Sequence, residues 1–157
     1  MSNTEALTQV AQGVRSAVGA STAAVVLGEE DNSIVFFAAS VGQHAHLLQG
    51  RRGPAAGSGL CGSALEAGVP ILAAQTIGDG RVHQEHATQF GIDTALAVPI
   101  LEGGSPVAVL MALNRVDGGT FDEASQAALE SYAARVTSEV ARARGERDPA
   151  ASADAGG

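Results

Sequence analysis

Hydrophobic residues recur at helical spacing near both ends of the chain, and this pattern predicts two amphipathic helices. The first helix is expected to end at Gly19, and both begin with the polar pattern of a capping box, Ser2 to Glu5 and Thr120 to Glu123. The apolar stripe of the first comprises Leu7, Val10, Ala11, Val14, Ala17 and Val18, and that of the second comprises Leu129, Tyr132, Val136 and Val140.

Between these helices, short apolar runs separated by turn residues predict strands. Because side chains alternate across a strand, Phe36 and Phe37 are expected on opposite faces of the sheet. The predicted strands are a hairpin of 23–27 with 34–39, a short strand at 69–73, and a hairpin of 94–101 with 107–113.

The middle of the chain is richer in glycine and less regular. Residues 40–59 are predicted to be loop. A small-residue helix is expected to begin at Ser58 or Gly59 and to end at Gly68, and residues 79–90 are expected to form another short helix that ends at Gly91. Hairpins that alternate irregularly with helices indicate an α+β fold with a mainly antiparallel sheet.

Charge and cysteine content narrow the classes of protein that fit this fold. The 157 residues include 17 acidic and 9 basic side chains, all of the latter arginine, for a net charge of -8. This balance argues against a nucleic-acid partner, because a phosphate backbone would be repelled. A single cysteine argues against a disulfide framework, and no apolar run has the roughly 18 residues of a membrane span. We therefore expect a cytoplasmic protein with no membrane partner.

Several short strings, in this order and spacing, resemble a GAF domain from about Thr4 to Arg144. On this basis we assign residues 1–144 to a GAF domain and 145–157 to a disordered tail. The strings are Gly57-Ser58-Gly59-Leu60-Cys61-Gly62-Ser63-Ala64-Leu65, Gly68-Val69-Pro70-Ile71, Leu96-Ala97-Val98-Pro99-Ile100, Val107 to Arg115, and Gly119-Thr120-Phe121-Asp122.

The resemblance implies a GAF/PAS-like α+β fold, in which an antiparallel sheet of five or six strands carries the N- and C-terminal helices on one face. The other face, under residues 40–59 and 79–90, would hold a small-molecule pocket. The residues expected to bind this ligand are Phe36, His44, Cys61, Arg81, His83, His86, Phe90, Thr94 and Leu96.

Cys61 permits two interpretations. It lies at a predicted helix N-terminus, which favours a thiolate, but a lone cysteine is more often a small buried apolar residue. The string Gly59-Leu60-Cys61-Gly62 also resembles a string of free methionine-(R)-sulfoxide reductases, which are GAF enzymes. Those enzymes use further cysteines, and the matching stretches here contain Arg51-Arg52 and Thr88. One cysteine cannot both form and resolve a sulfenic acid within the chain, so we expect no catalysis.

The histidines offer a second alternative, a metal- or haem-binding redox sensor. They occur as His44 with His46 and His83 with His86, and convergent imidazoles can bind zinc or a related metal. No established ligand spacing is present, and the position that corresponds to the axial histidine of haem-binding GAF sensors is Gln89. We therefore assign no metal, and the cofactor stays unknown.

A third alternative rests on Asn114-Arg115 followed by Phe121 and Asp122-Glu123, which resembles part of the signature of cyclic-nucleotide-binding GAF domains. Arginine replaces the lysine of that signature, and the acids follow the phenylalanine directly. First-turn acids of a helix explain Asp122 and Glu123 equally well.

The expectation that covers most of these observations is a non-catalytic sensory or regulatory GAF module that binds a small molecule. Since the domain fills nearly the whole length, we expect its signal to pass to a partner protein in trans. We also expect a homodimer formed through the apolar stripes of the terminal helices.

Overall fold

The computed structural model describes residues 3–56 and 58–147, without the side chains of 86, 146 and 147, and shows five helices and six strands there. The helices are α1 (Asn3–Val18), α2 (Ala45–Leu48), α3 (Gly59–Ala67), α4 (Gln84–Phe90) and α5 (Glu123–Arg147). The strands are β1 (Ala20–Glu29), β2 (Ile34–Gly42), β3 (Arg52–Pro54), β4 (Ile71–Ala73), β5 (Ala95–Glu102) and β6 (Ser105–Arg115).

All six strands join one antiparallel sheet in the order β3-β2-β1-β6-β5-β4. The α+β class and both long hairpins are thus confirmed. The central strands β1, β5 and β6 are buried on both faces. A sheet that is apolar on both faces needs cover on both, and the helices supply it.

The terminal helices α1 and α5 pack side by side on one face of the sheet, as predicted. Gly13 leaves room for the Tyr132 side chain between them, because a Cβ at residue 13 would lie 1.9 Å from Oη of Tyr132. That hydroxyl donates a hydrogen bond of 2.9 Å to the Val10 carbonyl oxygen, so one aromatic side chain joins the two helices.

The apolar stripes of these helices are used within the chain. Leu7, Val14, Leu129 and Val140 are each at most 1% exposed. They pack against the sheet and against each other, so they are not available to a second copy. The predicted dimer interface therefore cannot consist of these side chains.

The segment predicted as loop, residues 40–59, contains α2 and the edge strand β3, so that prediction is wrong in part. β3 pairs with β2 through Ile34 with Pro54 and Phe36 with Arg52. Beyond this pairing, the side chain of Gln49 bonds to the backbone of β2. It accepts from Ser40 N (2.7 Å) and donates to Ala38 O (2.9 Å). α2 and β3 have only four and three residues, too few to show a periodic pattern of hydrophobic positions in the sequence.

The cap of the C-terminal helix also differs from the prediction. Asp122 Oδ1 accepts from Ser125 N at 2.9 Å, and Ser125 Oγ accepts from Asp122 N at 3.3 Å, so the box lies two residues after Thr120. Hydrogen bonds to its carboxylate, first that from Ser125 N–H and then that from the Ser125 hydroxyl (3.0 Å), lower the pKa of Asp122. The amide of Phe121 instead donates to Thr94 Oγ1 (3.0 Å), which anchors the helix entry to the sheet.

The structure describes the two ends of the chain only in part. Ser2, the predicted cap of the first helix, lies outside the described residues. α5 continues to Arg147, which makes residues 145–147 helical; the rest of the predicted tail lies outside the described residues. Among the helices of residues 3–56 and 58–147, none combines the length and hydropathy of a membrane span.

Asn114, at the end of β6, ties down the loop between α4 and β5. Its Oδ1 accepts from Asp93 N at 2.7 Å and its Nδ2 donates to Gly91 O at 2.8 Å. The residue has a φ of 57°, in the left-handed region that asparagine tolerates better than most side chains. The structure thus gives Asn114 a supporting role next to β5.

We predict that Asn114→Ala lowers the free energy of unfolding by about 2–4 kcal/mol, since it removes these bonds and places a Cβ residue at positive φ. Asn114→Gly loses the same bonds without that backbone cost, and it should be about 1 kcal/mol more stable than the alanine variant. Urea denaturation measures both. Wild-type stability in either variant would contradict this role.

Candidate functional site

A cavity of about 280 Å³ lies on the face of the sheet opposite the terminal helices. Its floor consists of side chains from β2, β5 and β6, among them Phe37, Ala95 and Met111. Leu60 of α3 and Ala87 of α4 form two of its walls. The cavity exists because this face is covered by short elements that do not fill all the space above the strands.

The wall formed by α3 is held close to the β3–α3 connection. A Cβ at Gly62 would lie 2.0 Å from the Ala55 carbonyl oxygen, so only glycine permits this approach. Ser58 Oγ donates to the Pro54 carbonyl oxygen in the same connection.

Cys61 lines the cavity but is not a thiolate. It is 2% exposed, and its Sγ donates to the Ser58 carbonyl oxygen at 3.2 Å. Burial raises the pKa of this thiol to about 12, despite opposing hydrogen bonds from the Gly62 and Cys61 amides. Desolvation outweighs the helix N-terminus here, so the thiol is neutral at physiological pH.

The polar side of the cavity has a cationic character. Arg51, between α2 and β3, places its guanidinium 5.3 Å from the ring centroid of Phe90 at the end of α4. His83 also lines the cavity, next to Gly59. Among the described lining residues there is no aspartate or glutamate.

Arg52 is a lining residue as well, but its guanidinium is engaged elsewhere. It lies 4.8 Å from the Phe36 ring centroid and forms a 2.6 Å ion pair with Glu29 Oε1. Glu29 is 5% exposed, and this pair offsets its buried charge. Both arginines thus line the cavity, and each also contacts an aromatic ring.

Three of the predicted ligand-binding residues, Cys61, His83 and Phe90, line the cavity together. Phe36 and Leu96 do not, because they point to the terminal-helix face, where they pack with that core. Their sequence neighbours Phe37 and Ala95 occupy the expected places. The sequence predicts that side chains alternate along each strand, but the face predicted for Phe36 and Leu96 is wrong.

Three other predicted residues, Arg81, Thr94 and His44, lie outside the cavity lining. Arg81 forms a 2.5 Å ion pair with Asp79 and donates to the Leu72 carbonyl oxygen at 2.9 Å. The Arg81 hydrogen bond lowers the pKa of Asp79. Thr94 is 2% exposed and accepts from the Phe121 amide. His44 stands at the N-terminus of α2. The side chain of His86 lies outside the described residues.

Sequence reasoning missed several lining residues, including Arg51, Leu48, Ile92 and Met111. Met111 belongs to a continuously apolar strand, so its face follows only from the register with β1 and β5. Arg51 carried no local signal. In the part of the chain that the structure describes, no three His, Cys, Asp or Glu side chains are placed to hold a metal ion.

The comparisons agree with this architecture. The family model described as GAF domain matches residues 1–139. No curated protein matches the chain in sequence.

Three solved structures illustrate the fold. The GAF domain of the Acinetobacter phosphoenolpyruvate-protein phosphotransferase is 19% identical with a TM-score of 0.75, over 91% of this chain and 84% of that one. The free methionine-R-sulfoxide reductase of Neisseria meningitidis, solved with its substrate, is 20% identical with a TM-score of 0.72, over 92% and 81%. The GAF-B domain of DevS from Mycobacterium smegmatis is 15% identical with a TM-score of 0.70, over 93% and 98%. The same fold thus occurs in a phosphotransferase and in a reductase.

We predict that Cys61 resists alkylation in the folded protein, because burial holds its pKa far above that of an exposed thiol. At pH 8, iodoacetamide should modify it at least about a hundredfold more slowly than in the urea-unfolded chain, as followed by intact mass. Equal alkylation rates in both states would contradict this prediction, because they would show an accessible thiol of ordinary pKa.

Above about pH 9 the unfolded chain loses the thiol proton first, so stability should fall with pH more steeply in the wild type than in Cys61→Ala.

Proposed function

Because the chain belongs to the GAF domain family, we propose that it is a non-catalytic sensory or regulatory module whose cavity binds a small molecule. The observation that carries this proposal is the cavity of about 280 Å³ between the sheet and α3 and α4. Ligand sites are typically concave, mostly apolar and equipped with a few convergent polar groups. Phe37, Leu60 and Phe90 supply apolar surface here, and Arg51 and His83 supply polarity.

A free methionine-(R)-sulfoxide reductase is the second candidate, because Cys61 does line the cavity and one similar structure is such an enzyme. Sulfoxide reduction needs a thiolate that attacks sulfur and becomes a sulfenic acid. The raised pKa of Cys61 opposes that first step. The lining also fits such a substrate poorly. A free amino acid carries an ammonium group, and the described lining residues include no carboxylate to pair with it. We therefore favour binding without catalysis.

The proposed signal passes from the cavity through the sheet to the terminal helices and from there to a partner protein. Similar folds occur in a two-component sensor histidine kinase protein and in a methyl-accepting chemotaxis protein, which supports a signalling context. Contacts with that partner, or with a second copy in a homodimer, use the outer surfaces of α1 and α5. Exposed positions such as Ala127, Ala134 and Ser138 lie there, whereas the inner stripes are buried.

The test compares ligand binding by the wild type and by a variant with a smaller cavity. Ala87 is 3% exposed on α4 and lines the cavity, so Ala87→Leu should occupy part of its space without a loss of helix propensity. We expect a saturation-transfer NMR screen of small metabolites to identify binders of the wild type that bind Ala87→Leu at least about tenfold more weakly.

Two further variants make the result decisive. Ala127→Leu adds the same side chain at an exposed site of α5 and should bind like the wild type. Ala95→Val reduces the cavity from the floor, so it provides a second route if Ala87→Leu is poorly folded by thermal melting. Binding that is equal in all four proteins, or absent from the wild type, would refute the proposed function.

A further inference from the structure

We propose that the cavity takes a compact, uncharged and largely apolar molecule, and that it disfavours ions because the polar side chains of its described lining are already engaged. This inference rests on the proposed function, because it names the class of molecule that the same cavity binds. It is carried by the volume of the cavity, the burial of its inner wall, and the internal bonds of its polar side chains.

The volume limits the ligand to a compact molecule. An apolar cavity of roughly 150 Å³ accommodates benzene. The cavity of about 280 Å³ is nearly twice as large, which corresponds to about ten heavy atoms by the same scale. A molecule that fills such a site buries roughly 70–90% of its own surface, so a charge on it would lose much of its hydration.

The inner wall of the cavity offers apolar surface. Leu60, Phe90 and Ala95 line it and are each at most 5% exposed. Met111 adds a polarisable thioether, which adapts to irregular shapes and makes favourable contacts with aromatic rings. These side chains stabilise an apolar group and provide nothing in exchange for the water that a charged group would lose.

The buried polar side chains of the lining are bonded within the protein. The hydroxyl of Thr76, which is 0% exposed, donates to the Ile92 carbonyl oxygen. The Ser58 hydroxyl and the Cys61 thiol also donate to backbone carbonyl oxygens. His83 is likewise engaged. A ligand group that needs a hydrogen bond from one of these side chains would therefore have to break an existing interaction.

The two lining arginines are engaged as well. Arg52 is the ion-pair partner of Glu29, whose second carboxylate oxygen, Oε2, is buried without a hydrogen-bond partner. If Arg52 turned to an anionic ligand, this buried carboxylate would lose its charge partner, which is strongly unfavourable. Arg51 contacts the Phe90 ring and is exposed, so an ion pair with it would lie in water, where such pairs contribute little.

A cationic ligand would find no partner either. The described lining residues include no aspartate or glutamate, and the permanent charges they carry are those of arginines. An ammonium group buried between α3 and the strands would thus lack a carboxylate. Uncharged molecules are therefore the class that this cavity favours.

The experiment compares probes of nearly equal shape that differ in charge. Nitrobenzene and the benzoate ion form one pair, and benzyl alcohol and protonated benzylamine form the other; all four fall within the size limit. Each is titrated into the folded protein at neutral pH and followed by amide chemical shifts in NMR. We expect the uncharged member of each pair to bind at least about tenfold more tightly, since its charged counterpart loses hydration without gaining a buried partner.

Two variants place the binding in the cavity. Ala87→Leu occupies part of the space and should weaken binding of both uncharged probes at least about tenfold. Ala127→Leu adds the same side chain at an exposed position of α5 and should leave both affinities unchanged. If thermal melting shows that Ala87→Leu is poorly folded, Ala95→Val tests the same space from the floor.

The outcomes separate this inference from the proposed function. If benzoate or benzylamine binds as tightly as its uncharged counterpart, if neither uncharged probe binds, or if Ala127→Leu acts like Ala87→Leu, the inference of an uncharged ligand is wrong. The proposed function survives each of these results as long as some other metabolite binds the wild type and is lost in Ala87→Leu.

Discussion

The structure depends on one constraint: the central strands of the sheet are apolar on both faces, so both faces must be covered. Val25 and Leu27 of β1 point to one face and Ala24 and Val26 to the other, and all four are fully buried. Removal of this surface from water is the main favourable contribution to folding. Each described helix accordingly packs against one face of the sheet or the other.

The two covers are unequal, and the difference creates the candidate site. α1 and α5 are long and pack side by side across one face, and the Tyr132 hydroxyl fits between them beside Gly13. The other face receives α2, α3 and α4, none longer than nine residues. Short elements joined by loops leave space between their side chains and the strands. The cavity is thus a consequence of how the second face is closed, and Arg51 stands where two of these elements meet.

Most of the fold, but only part of the site, could be predicted from the sequence. Long periodic stripes identify α1 and α5, since helical spacing repeats over many turns. The face of a buried strand residue is different: Phe36 and Phe37 are equally apolar, and only the assembled sheet shows that Phe37 faces the cavity. The cap of α5 forms between Asp122 and Ser125, but the pattern from Thr120 to Glu123, two residues earlier, fits a capping box equally well in sequence. Arg51 lines the cavity through tertiary contacts such as that with Phe90, which no local spacing encodes.

The central claim is that the face opposite the terminal helices encloses a largely apolar space that is open to a small molecule. Xenon enters apolar cavities of this size, and a crystal structure under xenon pressure would locate it directly. The account predicts xenon density between α3, α4 and the sheet, in contact with side chains such as Phe37 and Leu60. Density confined to the α1–α5 side, or α3 and α4 packed onto the strands with no xenon between them, would contradict it.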